Sequence, residues 1–194
     1  MGDPRLSVGT SGWSYPGWLG PFYPTGTLPR DFLAVYAREF GAAEIDSTFC
    51  RIPTPKMVDA WNAGTPETFR FAPKVPHVIT HEKRLENCAA ELDTLLTSVR
   101  RLRPKLGHLV LQFDAGFRAD RLPVLADFLA GLASDLRVSV EIQHRSWLCE
   151  DFYRLLDLRR GLAVFAFANN RFQGHGPATA RTPLARVAET APQP

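Results

Sequence analysis

The sequence has few of the features that mark secreted, membrane or strongly charged proteins. Its three cysteines, Cys50, Cys88 and Cys149, are an odd number with no close pair, which argues against a disulfide framework and favours a reducing compartment. No apolar run is long enough to cross a membrane, and the N-terminus shows no secretory hydrophobic segment. The formal net charge is only +3, which favours anionic partners without indicating a basic tail. We therefore expect a folded cytoplasmic protein with no membrane partner.

Motifs for metals, cofactors and phosphate-binding loops are also missing. None of the five histidines forms an HxH or HExxH pair, so we predict no metal site, although an oxygen-only Mg or Mn site needs no such motif. The loop from Gly9 to Gly12 is too short for a P-loop, and the stretch from Gly174 to Pro177 lacks the GxGxxG spacing. The sequence therefore names no cofactor.

The chain contains enough hydrophobic residues to form the core of one domain. With 194 residues, of which 45% are hydrophobic, residues 1–194 are most simply a single domain. The last residues, about 184–194, are rich in Ala, Pro and Thr and are expected to fray.

Strand-like and helix-like segments alternate along this domain. Alternating or continuous apolar runs predict strands, and apolar residues at helical spacing predict helices between them. This order is typical of a parallel sheet covered by helices. The predicted strands are 6–10, 42–49, 69–75, 108–113, 137–143 and 162–168, and the predicted helices are 31–40, 55–62, 88–102, 122–134 and 151–160.

Polar side chains recur late in the predicted strands. Glu44 and Asp46 stand two apart, as do Glu141 and Gln143, so the members of each pair would face the same side of the sheet. Parallel α/β folds bind ligands at the carboxyl ends of their strands. We therefore expect a pocket there, and the late polar positions are Glu44, Asp46, Lys74, Gln112, Glu141, Gln143 and Asn169.

Two carboxylates beside a lysine predict acid/base chemistry, since like charges raise one carboxyl pKa and an ammonium lowers another. We assign Glu44, Lys74 and Glu141 as candidate catalytic residues. A Schiff base at Lys74 and a purely structural ion-pair network both remain open. The candidate substrate-binding residues are Trp13, Asp46, Gln112, Gln143, His144, Trp147 and Asn169; the aromatic members either stack on a ligand or close one end of the fold.

Several segments resemble, in order, the signature blocks of the YecE-like family, a domain of unknown function. The resemblance implies a TIM-barrel-type fold without an assigned reaction, and it extends over nearly the whole chain. The segments are GTSGWSY (9–15), EIDSTFCRIP (44–53), FRFAPKVPHVITH (69–81), KLGHLVLQ (105–112), EIQHRSW (141–147) and NNRFQGHGPATA (169–180).

The chain departs from the family pattern at individual positions and in length. Asp46, Cys50 and Gln143 stand where family members usually carry Asn, Tyr and Arg, and Gln cannot replace an arginine clamp on an anion. A barrel of this type needs about 250 residues, so we expect about six βα units and an incomplete or distorted barrel. Its exposed parallel edges would favour self-association.

Two functions fit these observations. The first is an acid/base barrel enzyme that acts on a small phosphorylated or sugar-like substrate or on a phosphodiester. The second is a non-catalytic or degenerate protein that binds a ligand or a nucleic acid without turnover. Scattered arginines favour nucleic acid only if they share one face, and the sequence has no motif of a known reader fold.

Overall fold

The computed structural model describes residues 6–157 and 164–168, and the strands and helices found there alternate as the sequence predicts. The elements of this described part are β1 (Leu6–Thr10), α1 (Phe32–Tyr36), β2 (Ala42–Ile45), α2 (Ser47–Cys50), α3 (Pro55–Ala63), β3 (Arg70–Pro73), α4 (Ala89–Val99), β4 (Leu109–Gln112), α5 (Leu122–Gly131), β5 (Val138–Glu141), α6 (Glu150–Asp157) and β6 (Val164–Ala168). None of these helices is both long and apolar enough to cross a membrane.

All the ladders between the described strands are parallel. β1 pairs with β6, β2 with β3 and β4 with β5. Single bridges link these pairs, from Ser11 to Glu44 and from Lys74 to Val110, which gives the neighbour order β6, β1, β2, β3, β4, β5. The predicted parallel α/β architecture is therefore confirmed. Within the described residues no ladder joins β5 to β6, so these strands show no closed barrel.

The predicted direction of side chains holds in the central strands. Phe71 in β3 is fully buried and lies against Trp61 of α3, whereas Lys74 turns to the opposite face and meets Glu44. In β4, Leu111 is likewise fully buried. Because successive side chains on a strand alternate, one face of the sheet packs against the helices and the other carries the polar groups.

Some predicted boundaries are wrong, and β2 is the most informative case. We predicted a strand over 42–49, but β2 ends at Ile45 and α2 begins at Ser47. The Thr48 hydroxyl donates to the carbonyls of Ile45 at 2.6 Å and of Lys74 at 2.7 Å. The contact with Ile45 is local, and side-chain bonds of this kind to nearby backbone groups compete with a continued strand ladder.

Helix α1 and strand β5 are also shorter than predicted. Helix α1 covers only Phe32–Tyr36 of the predicted 31–40. Strand β5 ends at Glu141, so Gln143 lies beyond the ladder rather than within it. The prediction that Gln143 and Glu141 share a strand face is therefore wrong.

Aromatic residues of the first connection form much of the core around α1. Trp18, Tyr23 and Tyr36 are almost completely buried, and the ring of Tyr23 stacks on Phe32 at 4.2 Å. The Tyr36 hydroxyl donates to the Ala42 carbonyl at 3.0 Å and accepts the Thr10 amide at 2.7 Å. Burial of rings on this scale stabilises a fold by about 2 kcal/mol per side chain, so most of these aromatics are structural.

Candidate functional site

Three of the predicted site residues meet at the ends of β2 and β3. The Lys74 Nζ lies 2.9 Å from Glu44 Oε1 and 2.8 Å from Asp46 Oδ1. Glu44 lies inside β2, Asp46 follows its last residue, and Lys74 follows the last residue of β3. Because Ile45 pairs with Pro73 in a parallel register, the two strand ends lie side by side. We call Glu44, Asp46 and Lys74 the charged cluster.

Burial makes this cluster unusual. The side chain of Glu44 is 7% exposed and that of Lys74 is 13% exposed, whereas that of Asp46 is 37% exposed. A charge removed from water is costly unless it is paired and hydrogen-bonded, and each carboxylate here pairs with the ammonium. The pairing explains how Glu44 and Lys74 are tolerated beneath the surface, while Asp46 stays partly in contact with water.

Ser11 completes the contacts of Glu44, and our sequence analysis did not select it. The Ser11 hydroxyl donates to Glu44 Oε1 at 3.0 Å, and the amide of Gly12 donates to the Glu44 carbonyl at 3.0 Å. Gly12 adopts a φ of +75°, a conformation that glycine accepts without a steric penalty. The signal was present in the sequence, since Ser11 is a polar residue directly after a strand.

The surroundings raise the pKa values of both Glu44 and Lys74. Burial, together with a hydrogen bond to Asp46, raises the pKa of Glu44 to about 7 although the Lys74 charge opposes this rise. For Lys74, burial lowers the pKa, but hydrogen bonds and attraction to the two carboxylates outweigh it and raise the pKa to about 12. At neutral pH Lys74 is therefore charged, and the raised pKa of Glu44 makes its protonated form more accessible than in an ordinary glutamate.

The other predicted catalytic carboxylate has different surroundings. Glu141 ends β5 next to Gln112, which ends β4, and the Gln112 amide donates to Glu141 Oε1 at 2.8 Å. Glu141 is exposed, and Gln112 is partly buried. This exposed pair, Gln112 and Glu141, lies at the same end of the strands as the charged cluster and forms a contact of its own.

The remaining predicted residues are placed differently from one another. Trp147 is fully buried, stacks on Phe117 at 5.5 Å and donates its Nε1–H to the Phe117 carbonyl at 2.7 Å, so its observed contacts are those of a core residue and its contact with substrate stays a prediction. The half-buried His144 accepts the Ser146 amide on Nδ1 at 3.1 Å and caps a short turn. Gln143 is exposed. Asn169 lies outside the described residues.

Trp13 lines a cavity of about 560 Å³ between α1 and α3. Its ring meets Trp61 edge to face, with the ring centroids 5.7 Å apart. Tyr15 and Met57 also line this cavity, and so does Asp46 of the charged cluster. One of the acids bound to Lys74 is therefore also part of a cavity wall.

A second polar group after β3 was missed by the sequence analysis. Arg84 binds Asp114 through two nitrogens at 3.2 and 3.1 Å. Arg84 and Leu85 have φ values of 49° and 72°, and non-glycine residues in this region store strain that is common at functional sites. The preceding turn, Val78–Glu82, is a π-helix, which also occurs often at such sites.

The histidines of that turn do not form a metal site in the described part of the chain. His77 Nε2 lies 2.8 Å from Glu82 Oε1, and burial lowers the pKa of His81 against the opposing charge of Asp114. Elsewhere, burial lowers the pKa of His108 to about 4. Among the described residues, no three His, Cys, Asp or Glu side chains are grouped in a way that could hold a metal ion.

These features define a parallel α/β protein with a buried charged cluster at its carboxyl strand ends. Residues 7–191 match the family described as protein of unknown function DUF72. The chain therefore belongs to the DUF72 family, as its resemblance to YecE-like sequences implied.

One curated relative is the UPF0759 protein YecE of Escherichia coli strain K12. The two are 33% identical over 139 residues, which is 72% of this chain and 48% of YecE. The same identity and coverage hold for YecE of Escherichia coli O157:H7. The chain thus spans about half the length of the curated relatives it matches.

Solved structures of the family share the fold. A DUF72 family protein of Thermotoga maritima superimposes with a TM-score of 0.65 at 25% identity, over 79% of this chain and 62% of that protein. A DUF72 family protein of Enterococcus faecalis gives 0.60 at 22% identity, over 78% and 55%. Both comparisons cover a larger share of this chain than of the relative.

Proposed function

We propose that the protein is an acid/base enzyme that acts on a small phosphorylated or sugar-like substrate or on a phosphodiester. The observation that carries this proposal is the ammonium of Lys74 between the carboxylates of Glu44 and Asp46, with the Glu44 pKa raised to about 7. General acids and bases are most effective when their pKa lies near the working pH. Perturbed carboxyls of this kind cluster at functional sites.

Each residue of the charged cluster has a role that follows from its charge. Glu44 donates or accepts a proton, since both of its forms are populated near neutral pH. Lys74 stays charged and stabilises negative charge on a phosphoryl or developing oxyanion group, which makes it a poor amine nucleophile and disfavours the Schiff base. Ser11 holds the Glu44 carboxyl in place and acts as a positioning residue, whereas Asp46 contacts Lys74 and faces the ligand.

We further propose that the six described strands form an opened TIM-type barrel of about six βα units. The order β6, β1, β2, β3, β4, β5 supports this, since β6 lies beside β1 as the last strand of a barrel would. The carboxyl ends of the strands then surround one pocket. In this arrangement Glu141 and Gln112 approach the substrate from β5 and β4.

The test is turnover with a panel of phosphorylated metabolites, sugars and short oligonucleotides. We expect Glu44→Gln to lower kcat/KM by about 100-fold and Glu44→Asp to retain part of the activity. Glu67→Gln is the matched control, because Glu67 is exposed and lies before β3. A folded Glu44→Gln protein with wild-type turnover would remove Glu44 from the mechanism, and unchanged turnover in Glu141→Gln would remove Glu141.

A non-catalytic function is the second candidate, and the exposed pair favours it. Glu141 is solvated and bound to Gln112, and Gln143 lies beyond β5, so this side of the pocket lacks the enclosure that catalysis needs. Such a protein binds a ligand or a nucleic acid without turnover. Ligand-dependent stabilisation with no product in the same panel would establish this alternative.

Self-association and a cytoplasmic location belong to the same proposal. In the described residues β5 has a ladder with β4 alone, and an exposed parallel edge invites pairing with a second chain. The three cysteines are free, which suits a reducing compartment. A monodisperse monomer in light scattering would contradict self-association.

A further inference from the structure

The cavity between α1 and α3 has walls suited to a flat ring. Trp13 meets Trp61 at an interplanar angle of 87° and also contacts Phe71, with the ring centroids 6.0 Å apart. Phe71 is fully buried in β3, so the aromatic wall is supported from the core. At about 560 Å³ the cavity lies within the range of pre-formed small-molecule sites.

The β1–α1 connection joins this cavity to the charged cluster. The left-handed turn at Gly12 brings Trp13 into the cavity wall, and the Gly12 amide binds the carbonyl of Glu44 at 3.0 Å. A Cβ at Gly12 would lie 3.2 Å from the hydroxyl oxygen of Tyr15. The turn that positions Trp13 is therefore attached to the backbone of the acid in the charged cluster.

Asp46 supplies the polar group of the cavity wall. Its Oδ1 binds Lys74 at 2.8 Å, and a carboxylate has about four acceptor positions, so further positions remain for a ligand donor. Arg30 also lines the cavity and carries a positive charge. Its side chain is 79% exposed, and its Nε lies 3.9 Å from Asp31 Oδ2. The strongest polar recognition therefore comes from an acceptor.

We propose that this cavity binds a flat, uncharged aromatic or heteroaromatic ring carrying an N–H or O–H donor for Asp46. The ring is then the part of the substrate that is held beside Glu44 and Lys74. This inference rests on the proposed function for the statement that the ligand is a substrate. A ring with hydroxyls on every carbon fits less well, because the apolar part of the wall, which includes Leu33 and Met57, offers its hydroxyls no partners.

Binding is tested by filling the cavity from its exposed side. Ala60 and Ala63 are both exposed residues of α3, but only Ala60 lines the cavity. The variants are Ala60→Phe and its matched control Ala63→Phe. The ring probes are adenosine, 4-hydroxybenzyl alcohol and indole-3-methanol, with ribose as the non-aromatic control, and calorimetry measures the Kd.

We expect at least one ring probe to bind the wild-type protein with a Kd of about 1 mM or lower. Ala60→Phe should weaken it by about tenfold or more, and Ala63→Phe should leave it unchanged. Binding of ribose alone, equal binding by the two variants, or no ring binding at about 5 mM overturns the proposal. Circular dichroism confirms that both variants are folded.

The role of Asp46 is tested with a donor-blocked ligand. N6,N6-dimethyladenosine lacks the N–H donors of adenosine, so we expect about fivefold weaker binding to the wild-type protein. Asp46→Leu should remove this difference, whereas Asp135→Asn, a paired and similarly exposed acid outside the cavity, should preserve it. A difference that persists in Asp46→Leu overturns the assignment of the donor to Asp46.

The two proposals fail in different measurements. If Ala60→Phe loses ring binding while Glu44→Gln keeps wild-type turnover, the cavity remains a binding site and the acid/base role is rejected. Reduced turnover in Glu44→Gln without any ring binding rejects the cavity and retains the acid/base role.

Discussion

Two carboxylates near the carboxyl ends of strands have opposite environments in this protein. Glu44, the second-to-last residue of β2, is buried beside Lys74 and Asp46, and its pKa rises to about 7. Glu141 is exposed at the end of β5, and its carboxylate accepts a hydrogen bond from the neutral amide of Gln112. Position at a strand end therefore does not make a carboxylate functional. Burial and the charge of its neighbours set its pKa.

Lys74→Met is expected to have the largest effect on the difference between Glu44 and Glu141, because it removes the cation beside Glu44. This change leaves the buried Glu44 and the partly exposed Asp46 without their cation, and removal of one partner of a buried pair costs about 3 kcal/mol. We expect a large loss of stability at pH 8 and a smaller one at pH 5, where the carboxyls take up protons. Urea unfolding at the two pH values measures the difference.

Lys83→Met is the control, since Lys83 pairs with the partly exposed Glu91. It should cost less than about 1 kcal/mol at either pH. Equal losses for the two lysines would show that burial of the charged cluster contributes little.

The pH dependence of the unfolding free energy also distinguishes Glu44 from Glu141. The folded pKa of Glu44 is about 7, above its ordinary value of 4.5, so the folded state binds this proton more tightly than the unfolded state does. The contribution of protonated Glu44 is present below pH 4.5 and is lost as the pH rises toward 7.

Glu44→Gln should therefore flatten the decline in unfolding free energy between pH 4.5 and 7, by about 2 kcal/mol. Glu141→Gln should leave the decline as it is. Parallel curves for wild type and Glu44→Gln would contradict a raised Glu44 pKa.

Ser11→Ala tests a smaller contribution. The Ser11 hydroxyl donates to Glu44 Oε1, and a donor to a carboxylate favours the charged form. Removal of this donor should raise the pKa of Glu44 further and cost about 1 kcal/mol at pH 8. Carbon NMR of labelled glutamate follows the titration, with Ser14→Ala as the control on the exposed side of the same loop. A lower Glu44 pKa would contradict this role.

The smallest effect is expected for Gln112→Ala. The exposed pair makes one hydrogen bond at 2.8 Å in contact with water, so its loss should change stability by less than about 0.5 kcal/mol. Thermal unfolding measures it. A loss as large as that of Ser11→Ala would show that the exposed pair is more enclosed than the structure indicates.

The sequence alone predicts the order of elements and the direction of most strand side chains. Apolar alternation at Phe69 and Phe71 indicates the helix-facing side of β3, and Lys74 falls on the opposite side as expected. The prediction is wrong where a side chain makes a local hydrogen bond, as Thr48 does at the end of β2. For Trp147 the sequence left two alternatives open, because an aromatic residue after a strand fits either a pocket or a core, and the structure places its side chain in the core.

The sequence predicted which residues belong to the candidate site, but not which of them contact one another. Glu44, Asp46 and Lys74 were all selected from their positions, and the structure brings them together. Glu141 was selected on the same evidence and forms a separate pair. Ser11 was not selected although it directly follows a strand. The Arg84–Asp114 contact was not selected, since a single arginine or aspartate in a loop carries no periodic signal.

The sequence by itself determined that this is a parallel α/β protein of the DUF72 family with polar residues at its strand ends. These properties depend on periodicity and on motifs that are local in the chain. Only the tertiary structure decided that Glu44 is buried beside Lys74 while Glu141 stays in water. Burial and electrostatic pairing join residues such as Ser11, Glu44 and Lys74 that are far apart in sequence, so their effect on pKa appears only when the strands are packed.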